Sequence, residues 1–569
     1  MLRSARLSLM CACLVLVACG SGDGTDGNTL LQAARIHTSD PEVPVAAAMV
    51  WDRDGRIVAV GEAADLASRY PRARRVDAGG ATVVPGLIDA HGHIAGLGMA
   101  LVRADLVGAR SKQEVVERLQ AFAAGLPKDA WLLGRGWDQN LWPGREFPTA
   151  ADLDAAFPDR PVWLSRVDGH AGWANSAALR AVAERPQGAA LLASGQPDGG
   201  LIVRDGGGNA TGVFVDEAER LVQAVIPPMR QQDLDAALER ALDVAVRSGL
   251  TSVHDMGTSL ASFEQLRRFA DEGRLPMRIS AYADGEGEAL DWVCEHGPYR
   301  HPGGRLQMRG VKLMIDGALG SRGAALERDY SDEPGNRGLL LLEPAHFERL
   351  ARRSRECGLQ VATHAIGDRG NRIVLDTYAR VLGDSAGRDH RWRVEHAQIV
   401  ALTDIPAFAG LGLVASMQPT HATSDMAWAQ DRVGPERIAG AYAWRRFADA
   451  GVRLALGSDF PVESPDPRLG LYAAVTRQDG DGNPPGGWLP DQRLDAAEAL
   501  RGFTADAAWA NHDEAVVGRL VPGLQADFVV LAQDPLGVPP HELDDLQVLS
   551  TWVDGRAVYE MAPAAPAED

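Results

Sequence analysis

The stretch "VVPGLIDAHGHI", from Val83 to Ile94, joins an apolar run to two histidines that are separated by one glycine. Side chains alternate along a β-strand, so His91 and His93 would project to the same side of a strand that ends there. Two neutral imidazoles that converge in this way are half of a metal site. For the pair taken alone, two structural histidines that bond to the backbone are the better explanation, so the other motifs of the sequence are needed to favour a metal site.

The segment that contains the pair is the first of eight apolar segments that alternate with amphipathic helical patterns. The predicted strands cover residues 86–93, 249–257, 276–284, 310–317, 359–368, 391–400, 411–419 and 452–461. Helical patterns such as residues 233–249 and 344–358 lie between them. This alternation predicts an α/β fold, a (β/α)8 TIM-like barrel, whose parallel strands are covered on both faces and are therefore apolar.

The spacing of the predicted elements also indicates further domains. The first two strands are separated by a long interval, residues 101–247 approximately, for which a structureless loop is implausible. We therefore predict a cap inserted over the barrel mouth. Short β-type runs in residues 31–84 and 514–560 predict a small β-sandwich built from both chain ends. The barrel with its insert then covers residues 85–513, and residues 561–569 form a C-terminal tail.

The N-terminus has the pattern of an export signal. Arg3 and Arg6 precede an apolar run, residues 7–18, that is too short to span a bilayer, so residues 1–18 are predicted to be a signal peptide. The sequence "LVAC" before a Gly- and Asp-rich stretch resembles a bacterial lipobox, which implies lipidation of Cys19 and a tether over residues 19–30. Gly20 after this cysteine implies the periplasmic side of the outer membrane. The protein would be held there by lipid only, and plain secretion is the alternative.

The bulk composition excludes some partners. The net charge of −20 argues against nucleic acid, because nucleic-acid binding depends on phosphate neutralisation by Lys and Arg. Apart from the predicted signal peptide and Cys19, the chain has two cysteines, Cys294 and Cys357, which excludes a disulfide framework but leaves one bridge open. Pairing with a second copy as a homodimer is also left open.

Candidate metal ligands stand at the carboxyl ends of several predicted strands. Barrel enzymes carry their chemistry at these ends, which meet at one rim. The candidates from strands one, four, five, six and eight are His91, His93, Lys312, His364, His396 and Asp459. Four histidines and one aspartate at equivalent strand ends favour the metal interpretation of the opening pair.

The motifs around these residues resemble a known family. In chain order, "PGLIDAHGH", "GVKLMIDGALGSR", "THAIGDRG", "VEHAQ" and "GSDFPV" resemble the amidohydrolase superfamily of metal-dependent hydrolases. The stretches "GRGWDQNLW" (134–142) and "RVDGHAGWANSAAL" (166–179) resemble its amidohydrolase family 3 branch, which includes N-substituted formamide deformylases. The resemblance implies one or two divalent metal ions, with zinc as the expected metal.

The resemblance also implies a role for each ligand. The first ion would be held by His91, His93 and Asp459. His364 and His396 would bind a second ion where one is present, or orient substrate, and Lys312, carboxylated by CO2, would bridge the two ions. A plain ammonium cannot ligate a cation. Asp316, which shares the face of Lys312, is therefore an alternative source of the acidic group, and a single ion would then be expected.

The function implied by this site is hydrolysis of a non-peptide C–N bond, of amide or formamide type, in a small molecule. Zinc makes hydroxide available from water near neutral pH. Asp459 would take the proton of the water and return it to the leaving amine, while His364 or His396 would hydrogen-bond the oxyanion. Glu395 and Asp368 are either carboxylates that fix ligand tautomers or ordinary salt-bridge partners.

Four residues of the predicted cap are candidates for contact with the substrate. They are Asp138, Trp142, His170 and Asn175. Five tryptophans between residues 131 and 173 would either line an apolar pocket or form the core of the cap itself.

Other functions remain open at this stage. The same barrel and metal site can hydrolyse an ester or a phosphoester, or cleave a C–C bond, although Arg322 and Arg369 are the only cations near the strand ends besides Lys312. A catalytically inactive lipoprotein that binds a ligand would be expected to lack some of the six candidate ligands, and all are present. A Schiff-base lyase that uses Lys312 would leave the four histidines without a role.

Overall fold

The computed structural model describes residues 27–127 and 130–562. The predicted signal peptide, Cys19, most of the predicted tether and residues 563–569 of the tail lie outside the described residues. Within the described ranges, no helix combines the length and the apolar character that a membrane crossing requires.

The chain begins with strands that precede the barrel. These are β1 (Thr29–His37), β2 (Val45–Trp51), β3 (Ile57–Gly61), β4 (Arg74–Asp77) and β5 (Thr82–Pro85), with helix α1 (Ala63–Arg69) between β3 and β4. The first barrel strand and its helix follow as β6 (Leu87–Gly92) and α2 (Ile94–Ala100). The next part contains β7 (Ala104–Asp105), α3 (Lys112–Ala123), β8 (Leu132–Trp137), α4 (Ala150–Asp154), β9 (Val162–Arg166), β10 (Ala171–Ala174), α5 (Ser176–Ala183), α6 (Pro186–Ala193), β11 (Gly200–Arg204), β12 (Ala210–Asp216) and α7 (Arg220–Gln223).

The remaining barrel elements alternate strand and helix. They are α8 (Gln231–Arg247), β13 (Leu250–Thr258), α9 (Leu260–Asp271), β14 (Arg278–Asp284), α10 (Glu288–His296), β15 (Tyr299–Arg300), β16 (Leu306–Met314), α11 (Pro344–Glu356), β17 (Gln360–Ala365), α12 (Asp368–Leu382), β18 (Arg393–His396), α13 (Ile405–Leu411), β19 (Val414–Met417), α14 (Pro419–Asp425), α15 (Ala429–Arg437), α16 (Trp444–Asp449), β20 (Arg453–Leu456), α17 (Pro467–Thr476), α18 (Ala496–Gly502) and α19 (Ala505–Ala510). The chain then returns to the N-terminal strands with β21 (Phe528–Leu531), β22 (Val548–Val553) and β23 (Arg556–Glu560).

Eight parallel strands form the barrel. Their order is β6, β13, β14, β16, β17, β18, β19 and β20. The first and last strands meet where the backbone N–H of Asp459 donates to the carbonyl of His91 at 2.6 Å, and that of His93 donates to Phe460 at 2.8 Å. The predicted TIM-like barrel is confirmed, and each predicted strand overlaps one of the eight.

Amphipathic helices cover the outside of the barrel. Helix α8 buries Leu238, Ala241 and Leu242 in the same apolar core as Leu97 of α2, because these positions recur on one helical face. A disulfide joins Cys294 of α10 to Cys357, directly after α11, with Cα atoms 5.1 Å apart. The bridge that the sequence left open is therefore present.

The segment between α2 and α8 has a sheet and a core of its own. Its six strands pair in the order β11, β12, β10, β9, β8, β7. Trp137, Trp142 and Trp173 pack against one another in its core, with ring centroids 5.9–6.1 Å apart. Helix α8, which the predicted cap range includes, packs with the barrel instead.

Both chain ends contribute to one further sheet. Its main path is β23, β22, β21, β5, β1, β2, β3, and β4 pairs with β1. The two ends meet where β5 and β21 run antiparallel, with Val83 opposite Val530. The sandwich arrangement of this part stays a prediction.

Candidate metal centre

The six candidate ligands lie at the rim formed by the carboxyl ends of the barrel strands. His91 is the last residue but one of β6, and His93 directly follows the strand. Asp459 lies just beyond β20, next to β6, because the barrel closes there. The other three candidates are on β16, β17 and β18, the neighbouring strands on the opposite wall.

His91, His93 and Asp459 form a set with the geometry of a metal site. One ligand atom from each lies within 4.8 Å of the others. Asp459 Oδ1 is 2.9 Å from His93 Nε2 and 3.5 Å from His91 Nε2. Burial alone would raise the pKa of Asp459, but the electrostatic effect of His91 and His93 outweighs it and holds the pKa below its usual value. The carboxylate is therefore an anion that can bind a cation.

The hydrogen bonds of His93 test whether a metal ion fits this set. His93 Nδ1 donates to the carbonyl of Met256 at 2.8 Å. A neutral imidazole has a single N–H, so His93 Nε2 would then face Asp459 Oδ1 as one acceptor facing another. A cation bound by both atoms removes this conflict, and His91, His93 and Asp459 therefore fit a divalent metal ion.

His91 is oriented by a buried carboxylate. Its Nδ1 donates to Glu395 Oε2 at 2.6 Å, which directs Nε2 toward the centre of the rim. Glu395 is in turn held by Arg393, whose Nε donates to Glu395 Oε1 at 2.7 Å, and neither side chain is exposed. Of the two roles left open for Glu395, this contact matches tautomer fixation. Asp368 makes no such contact; it accepts from the backbone N–H of Glu327 at 2.8 Å.

A second set shares Asp459 and contains a histidine that the sequence reasoning missed. His396, His421 and Asp459 have ligand atoms within 4.8 Å of one another. Gln418 Oε1 accepts from His396 Nδ1 at 2.8 Å, so His396 Nε2 is the free ligand atom. His421 lies in α14, after strand β19, in the stretch "QPTHA". The sequence signal that could have identified His421 is its position shortly after the seventh predicted strand.

Lys312 and Asp316, the two alternative sources of an acidic ligand, have different surroundings. Lys312 Nζ donates to His91 Nε2 at 3.1 Å, and burial lowers the pKa of Lys312 to about 8. Asp316 accepts from the backbone N–H groups of Ile366, Gly367 and Ala325 at 2.8–3.0 Å. Burial raises the pKa of Asp316 to about 7. These hydrogen bonds use the carboxylate of Asp316 to hold the segments that follow β16 and β17, so Asp316 is disfavoured as the acidic metal ligand.

His364 lies between the rim and the inserted segment. Its ring centroid is 4.6 Å from that of His396 and 5.3 Å from that of His170. Within residues 27–127 and 130–562, it is not part of the two sets of His and Asp side chains that have ligand atoms within 4.8 Å. Burial holds the pKa of His364 well below its usual value, so its imidazole is neutral.

His170, one of the predicted substrate residues, lies against the rim histidine His364. Its Nδ1 donates to Asp216 Oδ1 at 2.6 Å. Burial alone would lower the pKa of His170, but the hydrogen bond and charge of Asp216 outweigh it and raise the pKa to about 9. Asp216 lies beside the loop that follows β16. A Cβ atom at Gly317 or Gly323 of this loop would lie only 2.8 Å from Asp216 Oδ2. Glycine at these positions makes room for the pair.

Two predicted substrate residues need correction. Trp142 is buried in the core of the insert and donates from Nε1 to the carbonyl of Ala109 at 2.9 Å. Asn175 is fully buried and caps α5, accepting from the N–H of Ala178 at 3.0 Å. Both side chains are used for folding, because packing and capping call for the same residue types as ligand binding. Asp138 pairs with the buried Arg166, which is the last residue of β9.

Comparison with known proteins agrees with this geometry. Residues 74–559 match the amidohydrolase family. The chain belongs to the amidohydrolase family. The predicted resemblance to the family 3 branch is thereby confirmed. A short preceding segment, residues 53–73, matches a bacterial imidazolonepropionase-like composite domain.

Two relatives and one solved structure are similar to this amidohydrolase over most of its length. It is 33% identical to the protein LONG AFTER FAR-RED 3 of Arabidopsis thaliana, over 94% of this chain and 92% of the relative. It is 29% identical to the N-substituted formamide deformylase of Arthrobacter pascens, over 93% and 97% of the two chains. An uncharacterized metal-dependent hydrolase from Pyrococcus horikoshii OT3 has a similar structure, with a TM-score of 0.72 and 30% identity, covering 90% of this chain and 99% of that chain.

The contact between Glu395 and His91 makes a prediction about metal affinity. Glu395→Gln removes the charge that holds the His91 tautomer, so we expect the dissociation constant for zinc to rise by about 10- to 100-fold. Competition with a chromogenic chelator measures it. Asp368→Asn is the matched control, since that carboxylate touches backbone away from the ligands, and it should leave the affinity unchanged. Equal affinities for wild type and Glu395→Gln would contradict the proposed orienting role.

Proposed function

We propose that this amidohydrolase is a zinc-dependent enzyme that hydrolyses the C–N bond of a small amide or formamide. The observation that carries the proposal is the set His91, His93 and Asp459, with His91 oriented by Glu395. The similarity to an N-substituted formamide deformylase supports the bond type. A phosphoester is less favoured, because Arg322 is paired with Asp332 and the side chain of Arg369 is exposed.

The first zinc ion would be held by His91 Nε2, His93 Nε2 and a carboxylate oxygen of Asp459. When bound, zinc lowers the pKa of a coordinated water to about 7 and polarises a carbonyl group. Asp459 has further carboxylate lone pairs besides the one directed to His93, so it is placed to accept the proton of the attacking water.

A neutral histidine on the opposite wall can donate a hydrogen bond to the substrate without adding charge. Burial holds the pKa of both His364 and His396 well below the usual value. We propose that His364 donates to the oxyanion that forms when the carbonyl carbon is attacked, because the N–H of His396 is directed to Gln418. Among the described residues, the hydrogen-bond acceptor for His364 Nε2 is the carbonyl of Gly317, at the long distance of 3.5 Å.

Lys312 is proposed to act as a carbamate. Because burial lowers the pKa of this lysine to about 8, the neutral amine that reacts with CO2 is accessible near neutral pH. Carboxylation would replace an ammonium group beside His91 by an anionic oxygen ligand, which removes the repulsion between Lys312 and a metal ion.

The inserted segment is proposed to hold the substrate as a cap. His170 lies against His364 and is kept charged by Asp216, so it can donate to a carbonyl or carboxylate of the substrate. Asp138 would act through Arg166, whose Nε is held by Gln139 Oε1 at 2.8 Å.

We also propose that the protein is an exported lipoprotein on the periplasmic side of the outer membrane. The pattern at residues 1–20 motivates this proposal. The disulfide between Cys294 and Cys357 supports it, because such bridges persist in oxidising compartments.

Activity of the zinc-loaded chain tests the proposed reaction. We expect hydrolysis of N-formyl and N-acyl amines, followed as amine release, and loss of at least about 1000-fold in kcat for His91→Ala and Asp459→Asn, because the metal-activated nucleophile is lost. Matched controls are His541→Ala and Asp431→Asn, whose side chains are 73% and 61% exposed. A zinc-replete wild type that hydrolyses no C–N substrate would exclude the proposed function.

Substitution of His170 tests the role of the insert. His170→Asn should lower kcat/KM by about 10- to 100-fold through a higher KM, because a charged hydrogen bond contributes about 1.5–3 kcal/mol. Trp142→Phe, which changes a side chain in the core of the insert, should leave KM unaltered. The role is refuted if His170→Asn has the KM of the wild type.

Fractionation of a bacterial host tests the membrane anchor. The full chain should label with palmitate and sediment with the membrane, because an acylated first residue anchors it. Cys19→Ser should remain unlabelled and soluble. An unlabelled, soluble wild type would leave plain secretion as the better account.

A further inference from the structure

His254 is a buried histidine of the barrel that the sequence reasoning did not single out. It lies on β13, and its Nδ1 is 2.9 Å from an Nη1 atom of Arg393. A guanidinium group is always charged and cannot accept a hydrogen bond, so Nδ1 of His254 carries no proton and accepts this one. Burial and the charge of Arg393 hold the pKa of His254 well below its usual value. The imidazole is therefore a neutral acceptor.

The guanidinium group of Arg393 is hydrogen-bonded through every nitrogen. Nε donates to Glu395 Oε1 at 2.7 Å, and Nη2 donates to Glu395 Oε2 at 3.0 Å and to the carbonyl of Ala90 at 2.6 Å. Nη1 donates to His254 and to the hydroxyl of Tyr282 at 3.2 Å. These partners lie on four barrel strands, β6, β13, β14 and β18. The planar group is therefore fixed at each of its three edges.

Arg393 holds the metal ligand His91 in two ways. Ala90 directly precedes His91 in β6, so the hydrogen bond to the carbonyl of Ala90 fixes the backbone beside the ligand. Glu395 Oε2, which Arg393 also contacts, accepts from His91 Nδ1 at 2.6 Å and fixes the ring. Because the guanidinium group is rigid, the bond from Nη1 to His254 helps to set the direction in which Nε and Nη2 point.

A charged network in the interior of the barrel calls for a reason other than stability. Barrel interiors are normally filled by layers of branched apolar side chains. A buried ion pair is often no more stabilising than apolar side chains of similar volume. His254 adds a neutral acceptor, so it leaves the charge balance of Arg393 and Glu395 unchanged while it restricts the guanidinium group. Orientation of His91 is the use that these contacts support.

We propose that His254 is a positioning residue for the metal centre, which acts through Arg393 and Glu395 to direct Nε2 of His91 to the first metal ion. The inference rests on the proposed metal-dependent function. It adds a contribution from β13, a strand that supplies none of the six candidate ligands. Since His254 would act through two other side chains, its effect should be at the lower end of that expected for Glu395.

Zinc affinity tests the inference independently of activity, by titration of the full chain in competition with a chromogenic chelator. His254→Phe keeps an aromatic ring but removes the acceptor, so we expect the dissociation constant for zinc to rise about 10-fold. His254→Asn, whose side-chain oxygen can take the place of Nδ1, should restore an affinity near that of the wild type. Thr551→Val is the matched control, because it removes a different buried hydrogen bond, 2.7 Å long, and it should leave the affinity unchanged.

Tyr282→Phe is a second variant in case His254→Phe does not fold, as judged by circular dichroism. It removes the other acceptor of Arg393 Nη1 and keeps the ring, so zinc binding should weaken in the same direction. Wild-type affinity in His254→Phe, or in Tyr282→Phe where His254→Phe does not fold, would overturn the inference. Equal losses in His254→Phe and His254→Asn, or a loss in Thr551→Val, would also overturn it, because packing or general stability would then be responsible.

The zinc titrations separate this inference from the proposed reaction. A wild type that binds zinc and hydrolyses no C–N substrate refutes the proposed function, whereas the affinities of the His254 variants still decide the positioning role. Conversely, unchanged zinc affinity in His254→Phe refutes the positioning role and leaves the proposed hydrolysis intact.

Discussion

The closure of the barrel between β6 and β20 is the constraint on which the site depends. Asp459 and His93 are 366 residues apart, yet their side chains lie 2.9 Å apart because these two strands are neighbours. Backbone hydrogen bonds from Asp459 and His93 join the strand ends. Asp89 strengthens the same seam, where its carboxylate accepts from Ser458 Oγ at 2.6 Å and from the N–H of His91 at 2.9 Å. If this seam opened, the first metal set would separate.

A network of buried charges supports the rim from inside the barrel. Arg393 donates to Glu395, to Ser416 Oγ at 2.8 Å and to the carbonyl of Ala90 at 2.6 Å, and Glu395 accepts from His91. Removing one partner of a buried ion pair leaves an uncompensated charge and costs about 3–5 kcal/mol. The network therefore contributes less by its net stability than by restricting His91 to one tautomer and one orientation. The inserted segment adds a second oriented pair, Asp216 and His170, from outside the barrel.

Much of the barrel and of the first metal set could be predicted, because both follow from local patterns. Parallel strands covered on both faces read as apolar runs, and residues at their carboxyl ends share one rim. His421 escaped prediction because it lies in a helix after β19, where no alternation marks the direction of a side chain. Trp142 and Asn175 were misassigned because an aromatic or amide side chain in a cap looks the same in sequence whether it packs, caps a helix or meets a ligand.

By itself, the sequence determined the strand count, the meeting of His91, His93 and Asp459 at one rim, and the family. Periodicity, strand-end position and motif order are properties of the linear chain. Only the tertiary structure decided which histidines lie beside Asp459, that Glu395 rather than Asp368 orients His91, and that Cys294 meets Cys357. These outcomes depend on where side chains from distant elements point, at a scale of one to two ångströms. That direction is set by packing between elements and by the bonding of buried polar groups, which no single segment encodes.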